Sequence, residues 1–279
     1  MRYISTLSFI CASLAFAIGI SVSPGTFVIQ DVPIGEQYDI SKRVGYTIRI
    51  SGVSHQTKFI LTPRKPSEDG TIATGYYDFP NPEWFSLECD SVDVSPEKAG
   101  EVAIWVYLPD DPSLYNRHFL LGVDVSPTVE TTRGMLAVGA YLLYRFETLP
   151  KADIVPRLQY DELAFVPSAV VFDSLKIGDN RSVNVRVHSG SEAKQTLKLY
   201  RLDPESDVAK LTILVTPGFQ RAPEGLVFFP EKINLDESGG KLFVQAAISK
   251  EMSYPRLEEI IMVENSNGNK AFLRVRLIR

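Results

Sequence analysis

"SPEKAGEVAIWVYLPDDPSLYNRHFLLGVDVSP", residues 95–127, decides the fold, because nearly the same design returns as "DESGGKLFVQAAISKEMSYPRLEEIIMVEN", residues 236–265. Each stretch starts with a charged turn containing glycine. An alternating apolar strand follows, then a polar connection with Pro and Ser, then a second strand. Adding 140 to Val102, Ile104, Val106 and Leu108 lands on Leu242, Val244, Ala246 and Ile248, one face of a strand in period two, matched without a gap. The same offset carries Leu121 and Val123 onto Ile261 and Val263. Upstream, "YTIRISGVSHQTKFIL" at 46–61 parallels "VNVRVHSGSEAKQTLKLY" at 183–200, with small insertions. Both halves therefore repeat one order: strand, polar turn, strand, long loop, strand, strand.

The pattern is sheet throughout. Short runs rich in Val, Ile, Leu, Phe and Tyr are separated by Gly, Pro, Asp, Asn and Ser clusters, and no segment carries apolar residues at helical spacing. In "ENSNGNKAFLRVRLIR", Asn267-Gly268 predicts a two-residue hairpin turn that pairs Met262 to Glu264 with Phe272 to Leu277. Many short strands in two repeated units predict two tandem β-sandwiches. The boundary falls at "LPKADIVPRLQY", residues 149–160, where two prolines interrupt the strand pattern and stiffen the connector. The units are residues 21–148 and 161–279.

Residues 1–20, "MRYISTLSFICASLAFAIGI", have one basic residue, an uncharged apolar run and small residues at Ala15 and Ala17, the layout of a secretory signal peptide. The chain is thus expected to be exported: periplasmic, at the cell surface or secreted. No other apolar run is long enough to span a bilayer, so no membrane span is expected after cleavage. Beyond this segment Cys89 is the only cysteine, so no intrachain disulfide braces the fold. A net charge of −5 argues against a nucleic-acid partner.

"SPEKAGEVAIWVYLPDDPSLYNRHFLLGVDVSP" together with "GMLAVGAYLLYRFETLP" resembles the immunoglobulin-like sandwiches of bacterial extracytoplasmic proteins. The glycine turn, the strand ending in Pro, Gly122 within the next strand and the apolar Leu136 to Leu143 carry the resemblance. It implies an all-β fold of two tandem immunoglobulin-like antiparallel β-sandwiches and an extracytoplasmic location. "LPDDPSLYNRHFLLGVDVSP" and "AYLLYRFETLP" are also similar to the first domain of periplasmic fimbrial chaperones. That family anchors a client's terminal carboxylate on an Arg and a Lys in the interdomain cleft, and lends the last strand of its first domain to an incomplete subunit. Here "DDPSLYN" lacks the basic residue usual in that segment, and no anchoring pair is legible.

Chemistry-bearing patterns are sparse. His55, His118 and His188 lie in no metal-ligand spacing, and neither a GxSxG elbow nor a phosphate-binding glycine loop occurs. Asp110-Asp111 and Glu258-Glu259 are adjacent, so on a strand their side chains point to opposite faces; they read as solvated turns. Arg274, Arg276 and Arg279 read as the solvated outer face of a terminal strand, blunting an edge. No catalytic residue, no metal ligand and no cofactor is expected, and the chain reads as non-enzymatic. Asn180-Arg181-Ser182 has the spacing of a glycosylation acceptor, meaningful only in a eukaryotic source.

Surfaces are the positive candidates. Alternation that sends Val102 to Leu108 inward sends Trp105 and Tyr107 outward, a patch the second unit lacks. The loop "TPRKPSEDGTIATGYYDFPNPEWF", 62–85, gathers Tyr76, Tyr77, Phe79 and Trp84, suited either to recognition or to pinning the loop on its own sandwich. Leu136, Val138, Ala140 and Leu142 lie on a run that is apolar on both faces, either an open edge for a partner's strand or a central strand. The sequence therefore predicts a cell-envelope binding or structural module that recognises an envelope or surface protein through its first domain. Its alternatives are a strand-donating chaperone and a glycan-binding accessory module.

Overall fold

The computed structural model describes residues 20–71, 73–128, 138–191, 194–202, 213–236 and 239–279. Nearly all of the expected signal segment, and Leu136 of the expected edge run, lie outside these residues.

Each half of the chain forms a sandwich whose first strand serves both sheets. Ser21–Ser23 pairs antiparallel with Ile48–Ser51; past Pro24 the chain crosses over, and Thr26–Val32 pairs parallel with Ala140–Thr148. In the second half Leu163–Val166 pairs antiparallel with Asn180–Ser189, and past Pro167 the strand Ala169–Phe172 pairs parallel with Lys270–Ile278. The larger sheet of the first sandwich runs Thr26–Val32, Ala140–Thr148, His118–Pro127, Thr57–Arg64, Ser91–Val94. Its counterpart runs Ala169–Phe172, Lys270–Ile278, Arg256–Glu264, Gln195–Arg201, Lys232–Leu235, the same order position by position. This is the strand order of an immunoglobulin-like sandwich.

The facing sheet of the second sandwich is continuous: Leu163–Val166, Asn180–Ser189, Gly240–Ala247, Val227–Phe228. In the first sandwich it is split at Ala103 into two three-stranded pieces. Glu88 holds the split from both sides, its carboxylate accepting from the Ala103 N–H at 3.2 Å and its own N–H donating to the Ala103 carbonyl at 2.9 Å.

Period-two alternation places every residue of the repeated face inside. Val102, Ile104, Val106 and Leu108 are buried in the first core, and Leu242, Val244, Ala246 and Ile248 in the second; Leu121, Val123, Ile261 and Val263 complete the match. The two cores draw on separate stretches of chain, Phe27 to Phe146 and Leu163 to Leu277.

Local details depart from the sequence expectation. Ile40–Val44 is an α-helix, too short for a periodicity to reveal; the Asp39 carboxylate caps its start by accepting from the Lys42 N–H at 2.9 Å, and Gly45 ends it at φ +80°. The Arg256–Glu264 and Lys270–Ile278 hairpin exists, with Met262 opposite Phe272, but its turn is longer than two residues. Pairing stops at Glu264–Lys270, and the Asn265 side chain accepts from the N–H groups of Asn267 and Asn269, so Asn265 shapes the turn while only Gly268 takes positive φ.

Residues 149–160 carry no strand or helix. Buried Asn116 ties them down: its amide donates to the carbonyls of Lys151 and Ile154, both at 2.7 Å, and its oxygen accepts from the N–H groups of Lys151 and Ser168.

The repeated face predicts a measurable stability loss. Leu242 is fully buried, so Leu242→Ala should lower unfolding free energy by about 2–5 kcal/mol, the usual range for a buried leucine truncation, read from urea unfolding at constant m-value.

Candidate functional site

The strongest concentration of chemistry-bearing side chains lies where the two sandwiches meet. On the strands of the two larger sheets, residues that do not enter the cores point outward, and in a lone sandwich they would meet water. Here the outward faces meet each other. Leu120 from His118–Pro127 packs with Ile260 and Met262 of Arg256–Glu264 and with Phe272 of Lys270–Ile278, joined by Ala73 and Tyr76 from the long loop of the first sandwich.

Arg274 sits at the centre of this contact with no exposed surface. Its Nε and Nη2 donate to the two oxygens of Glu147, from the other sandwich, at 2.5 and 2.6 Å. Its Nη1 donates to Glu258 at 2.9 Å. The Tyr76 hydroxyl donates to Glu147 at 2.8 Å. Glu258 also accepts from the Thr216 N–H at 2.9 Å and lies 3.5 Å from Arg276 Nε, while Arg276 Nη2 reaches Gln30 of the first sandwich at 2.8 Å. The His118 ring stacks on Phe272 with centroids 3.9 Å apart. Gly75, at φ +79°, lies so close to Phe272 that an added Cβ would stand 2.7 Å from the ring.

Two expectations are corrected by this geometry. Arg274 and Arg276 do not line a solvated face, because a second sandwich covers it; of the three arginines only Arg279 is substantially exposed, bound to Glu251 at 3.0 Å. Glu258 and Glu259 do not belong to a solvated turn. Both are buried on opposite faces of one strand, Glu258 on Arg274 and Arg276 and Glu259 on Arg201.

Burial sets the electrostatics. Loss of water alone would raise the Glu147 pKa, but the Arg274 charge and the hydrogen bonds from Arg274 outweigh it and hold the carboxyl below its ordinary value. Burial, with the repulsion of Arg274 and Arg117 added and the pull of Glu147 opposing, depresses His118 from 6.5 to about 4. Burial and the nearby Glu147 raise Tyr76 well above its ordinary value. At neutral pH Glu147 is therefore a carboxylate, His118 a neutral imidazole and Tyr76 a neutral phenol.

Histidine, tyrosine and paired glutamates on an arginine have the composition of an acid–base site. Yet His118, Tyr76, Glu147, Glu258 and Arg274 are all closed to solvent, none more than 6% exposed. A substrate has no access to them, and the cluster works as a clamp.

Further contacts extend the seam. The Tyr77 hydroxyl donates to the Leu163 carbonyl at 3.1 Å and accepts from the Leu163 N–H at 2.9 Å, occupying the place of a neighbouring strand. Arg117 bonds Glu162 at 2.9 Å with its guanidinium 4.7 Å from the Tyr77 ring.

The sequence candidates are distributed unequally around this clamp. Tyr76 and Tyr77 pin the long loop to the second sandwich, whereas Phe79 is fully buried in the first core and Trp84 packs on it edge to face. These aromatics are consumed by packing. Trp105 and Tyr107 lie on the outer face of Ile104–Tyr107, as alternation predicted; Trp105 is half-buried, opposite Asp39 of the neighbouring strand, and Tyr107 is 44% exposed. The strand Ala140–Thr148 lies between His118–Pro127 and Thr26–Val32, and Leu142 is buried. Parallel pairing with Thr26–Val32 begins only at Leu143, so Ala140 to Leu142 pair on one side alone, with Val138 half-buried just ahead. Cys89 is a free, half-buried thiol packed against the first core. Among the described residues, no three His, Cys, Asp or Glu side chains are grouped to hold a metal ion, and no helix is long and apolar enough to cross a membrane.

No protein-family model matches the sequence, and no curated protein matches it. Among solved structures the chain is similar to the Escherichia coli chaperone DraB, at 7% identity and a TM-score of 0.30, over 92% of this chain and 98% of that one. It is also similar to the Salmonella enterica SafA pilin in complex with the SafB chaperone (10% identity, TM-score 0.31, 94% and 97%). The human CEP192 PapD-like domain matches 53% of this chain and 97% of its own length at 9% identity and a TM-score of 0.33. Likeness at this level accompanies the immunoglobulin-like strand order and carries no argument about activity.

The clamp predicts acid lability with a defined sign. Between pH 6.5 and about 4 the unfolded chain protonates an imidazole that the folded protein keeps neutral, so stability falls as pH drops through that window; Glu147, held below 4.5 when folded, adds a further loss at lower pH. The urea midpoint should fall from pH 7 to pH 4, and His118→Phe, which keeps a ring on Phe272, should flatten the slope above pH 4.5.

Proposed function

We propose that this chain is an exported, non-catalytic binding or structural module of the cell envelope, whose two sandwiches act as one unit and whose first sandwich holds a partner protein on the Trp105 and Tyr107 face. The observation that carries this reading is the division of labour among aromatic residues. The loop aromatics are spent on the core and the interdomain seam, while Tyr107 remains 44% exposed beside half-buried Trp105 on an outer sheet face. Its strand neighbours there are polar, Gln37 and Asp39 on one side and Ser86 on the other, so rigid aromatic area is framed by hydrogen-bonding groups, a composition suited to protein contacts. The N-terminal apolar segment supports export.

The one-sided pairing of Ala140 to Leu142 favours a second reading, strand donation to an incomplete subunit. Against it stands the state of the interdomain arginines. Arg117, Arg274 and Arg276 are already bound to Glu162, to Glu147 and Glu258, and to Gln30 and Glu258, so none of the three is open to a client's terminal carboxylate.

The test is capture from the source organism's envelope fraction by the mature chain and by a Trp105→Ala, Tyr107→Ala double variant with an unchanged circular dichroism spectrum. A partner retained by the wild type and lost by the folded variant is expected. Equal capture by both would move the contact off this face, and capture of an unfolded subunit through the Ala140 segment would favour strand donation.

A further inference from the structure

A groove of about 510 Å³ opens on the second sandwich, where Gln195–Arg201 runs past the beginning of Lys232–Leu235. Tyr200, Phe228 and Phe229 supply its aromatic surface, and Lys198 and Lys232 its amines. The volume lies within the range of small-molecule sites, roughly 300–1,000 Å³.

The two lysines are directly opposite each other across the strand pair. Like charges in that position destabilise a sheet, and an anion between them relieves the repulsion. Nearby carboxylates do so only in part. Glu264, opposite Lys198 on the other side, is shared with Lys270 at 3.8 Å. Among the described residues of the groove wall, Glu231 is the one acidic side chain, against two amines. Arg201 is committed to Glu259 and the Val227 carbonyl, and its guanidinium lies 5.2 Å from the Phe229 ring. Among the described residues, the positive charge of the groove left without a full match is therefore that of Lys198 and Lys232, both exposed.

Phe228, 47% exposed, offers an open ring at the same place, and the Lys198 ammonium lies 5.5 Å from the Tyr200 ring centroid. The matching ligand combines an apolar ring face with an anionic substituent. We propose that this groove binds an acidic sugar unit of a polysaccharide, a pyranose bearing a carboxylate or a sulfate ester, with its ring against Phe228 and its anion between Lys198 and Lys232. An acidic peptide fits less well. It would need strand-edge donors and acceptors, and the edge beside the groove is already occupied by the Leu199 N–H donating to the Glu231 carbonyl at 2.7 Å. The site is independent of the Trp105 face and adds a second ligand class to the module.

The test is calorimetric titration of the mature protein at low ionic strength with a galacturonate trimer, a sulfated trisaccharide, an uncharged trisaccharide and an oligoglutamate. Binding of one or both acidic sugars and none of the uncharged one is expected. Lys198→Ala and Lys232→Ala should each weaken binding about tenfold, the scale of one charge-assisted hydrogen bond, and Phe228→Ala by a similar factor. Because these side chains are exposed, the variants should keep the wild-type unfolding temperature, and removal of either lysine should not lower it. No binding of either acidic sugar would overturn the proposal. So would affinity unchanged in the Lys198→Ala, Lys232→Ala double variant, or oligoglutamate binding as tightly as the sugars.

Discussion

The joining of the two sandwiches turns on one buried guanidinium. Arg274 projects from the terminal strand of the second sandwich and takes both oxygens of Glu147 from the last strand of the first, with Glu258 completing its coordination. Burying such charges costs several kcal/mol each unless geometry and hydrogen bonding are nearly complete. Here they are close to complete, since Glu147 accepts from Arg274 and Tyr76 and Glu258 accepts from Arg274, Arg276 and Thr216. Breaking the set by removing the arginine leaves two carboxylates buried without their main partner, so the sandwiches either stay together or separate far enough to let water in.

That constraint explains the placement of the remaining polar groups along the seam. An apolar contact such as Leu120 on Ile260 and Met262 favours burial but not one particular alignment of two sheet faces. The Arg274 pair, the Tyr77 contact with both backbone groups of Leu163, and the four hydrogen bonds of Asn116 are directional, and together they specify a single alignment. The linker contributes less by its prolines than by being held: Asn116, in the turn just ahead of His118–Pro127, grips Lys151, Ile154 and Ser168. With the facing sheets consumed in this way, any recognition is left to surfaces elsewhere, such as the Trp105 strand and the Lys198 groove.

The duplicated architecture was legible because strand alternation is a local property. Val102 to Leu108 and Leu242 to Ile248 show their inward faces in the sequence itself, whereas the crossing points of the two first strands, at Pro24 and Pro167, emerge only from the strand pairings. The clamp was not legible from alternation, which assigns Arg274, Arg276 and Glu258 to an outward face and cannot say that another domain covers it. A signal was nevertheless present. Ile260, Met262 and Phe272 occupy outward positions on the same strands, and strands apolar on both faces are buried on both faces. Arginine and glutamate interspersed among such residues mark a paired charge under cover. The same reading applied to Leu120 and Leu143 would have located the other half of the seam, leaving only the pairing of Arg274 with Glu147 to be found in three dimensions.

The contrast between the two sets of cations sharpens the functional argument. On the covered face Arg274 and Arg276 each have a carboxylate or amide oxygen at hydrogen-bonding distance, and Arg145 donates to the Thr26 hydroxyl. On the open groove Lys198 and Lys232 face one another across a strand pair beside an exposed phenylalanine, an arrangement that packing does not require and that costs the sheet some stability. Buried charges that are fully satisfied account for architecture. Exposed charges that repel one another beside an exposed ring are not explained by the fold, and a ligand carrying the opposite charge supplies the missing partner.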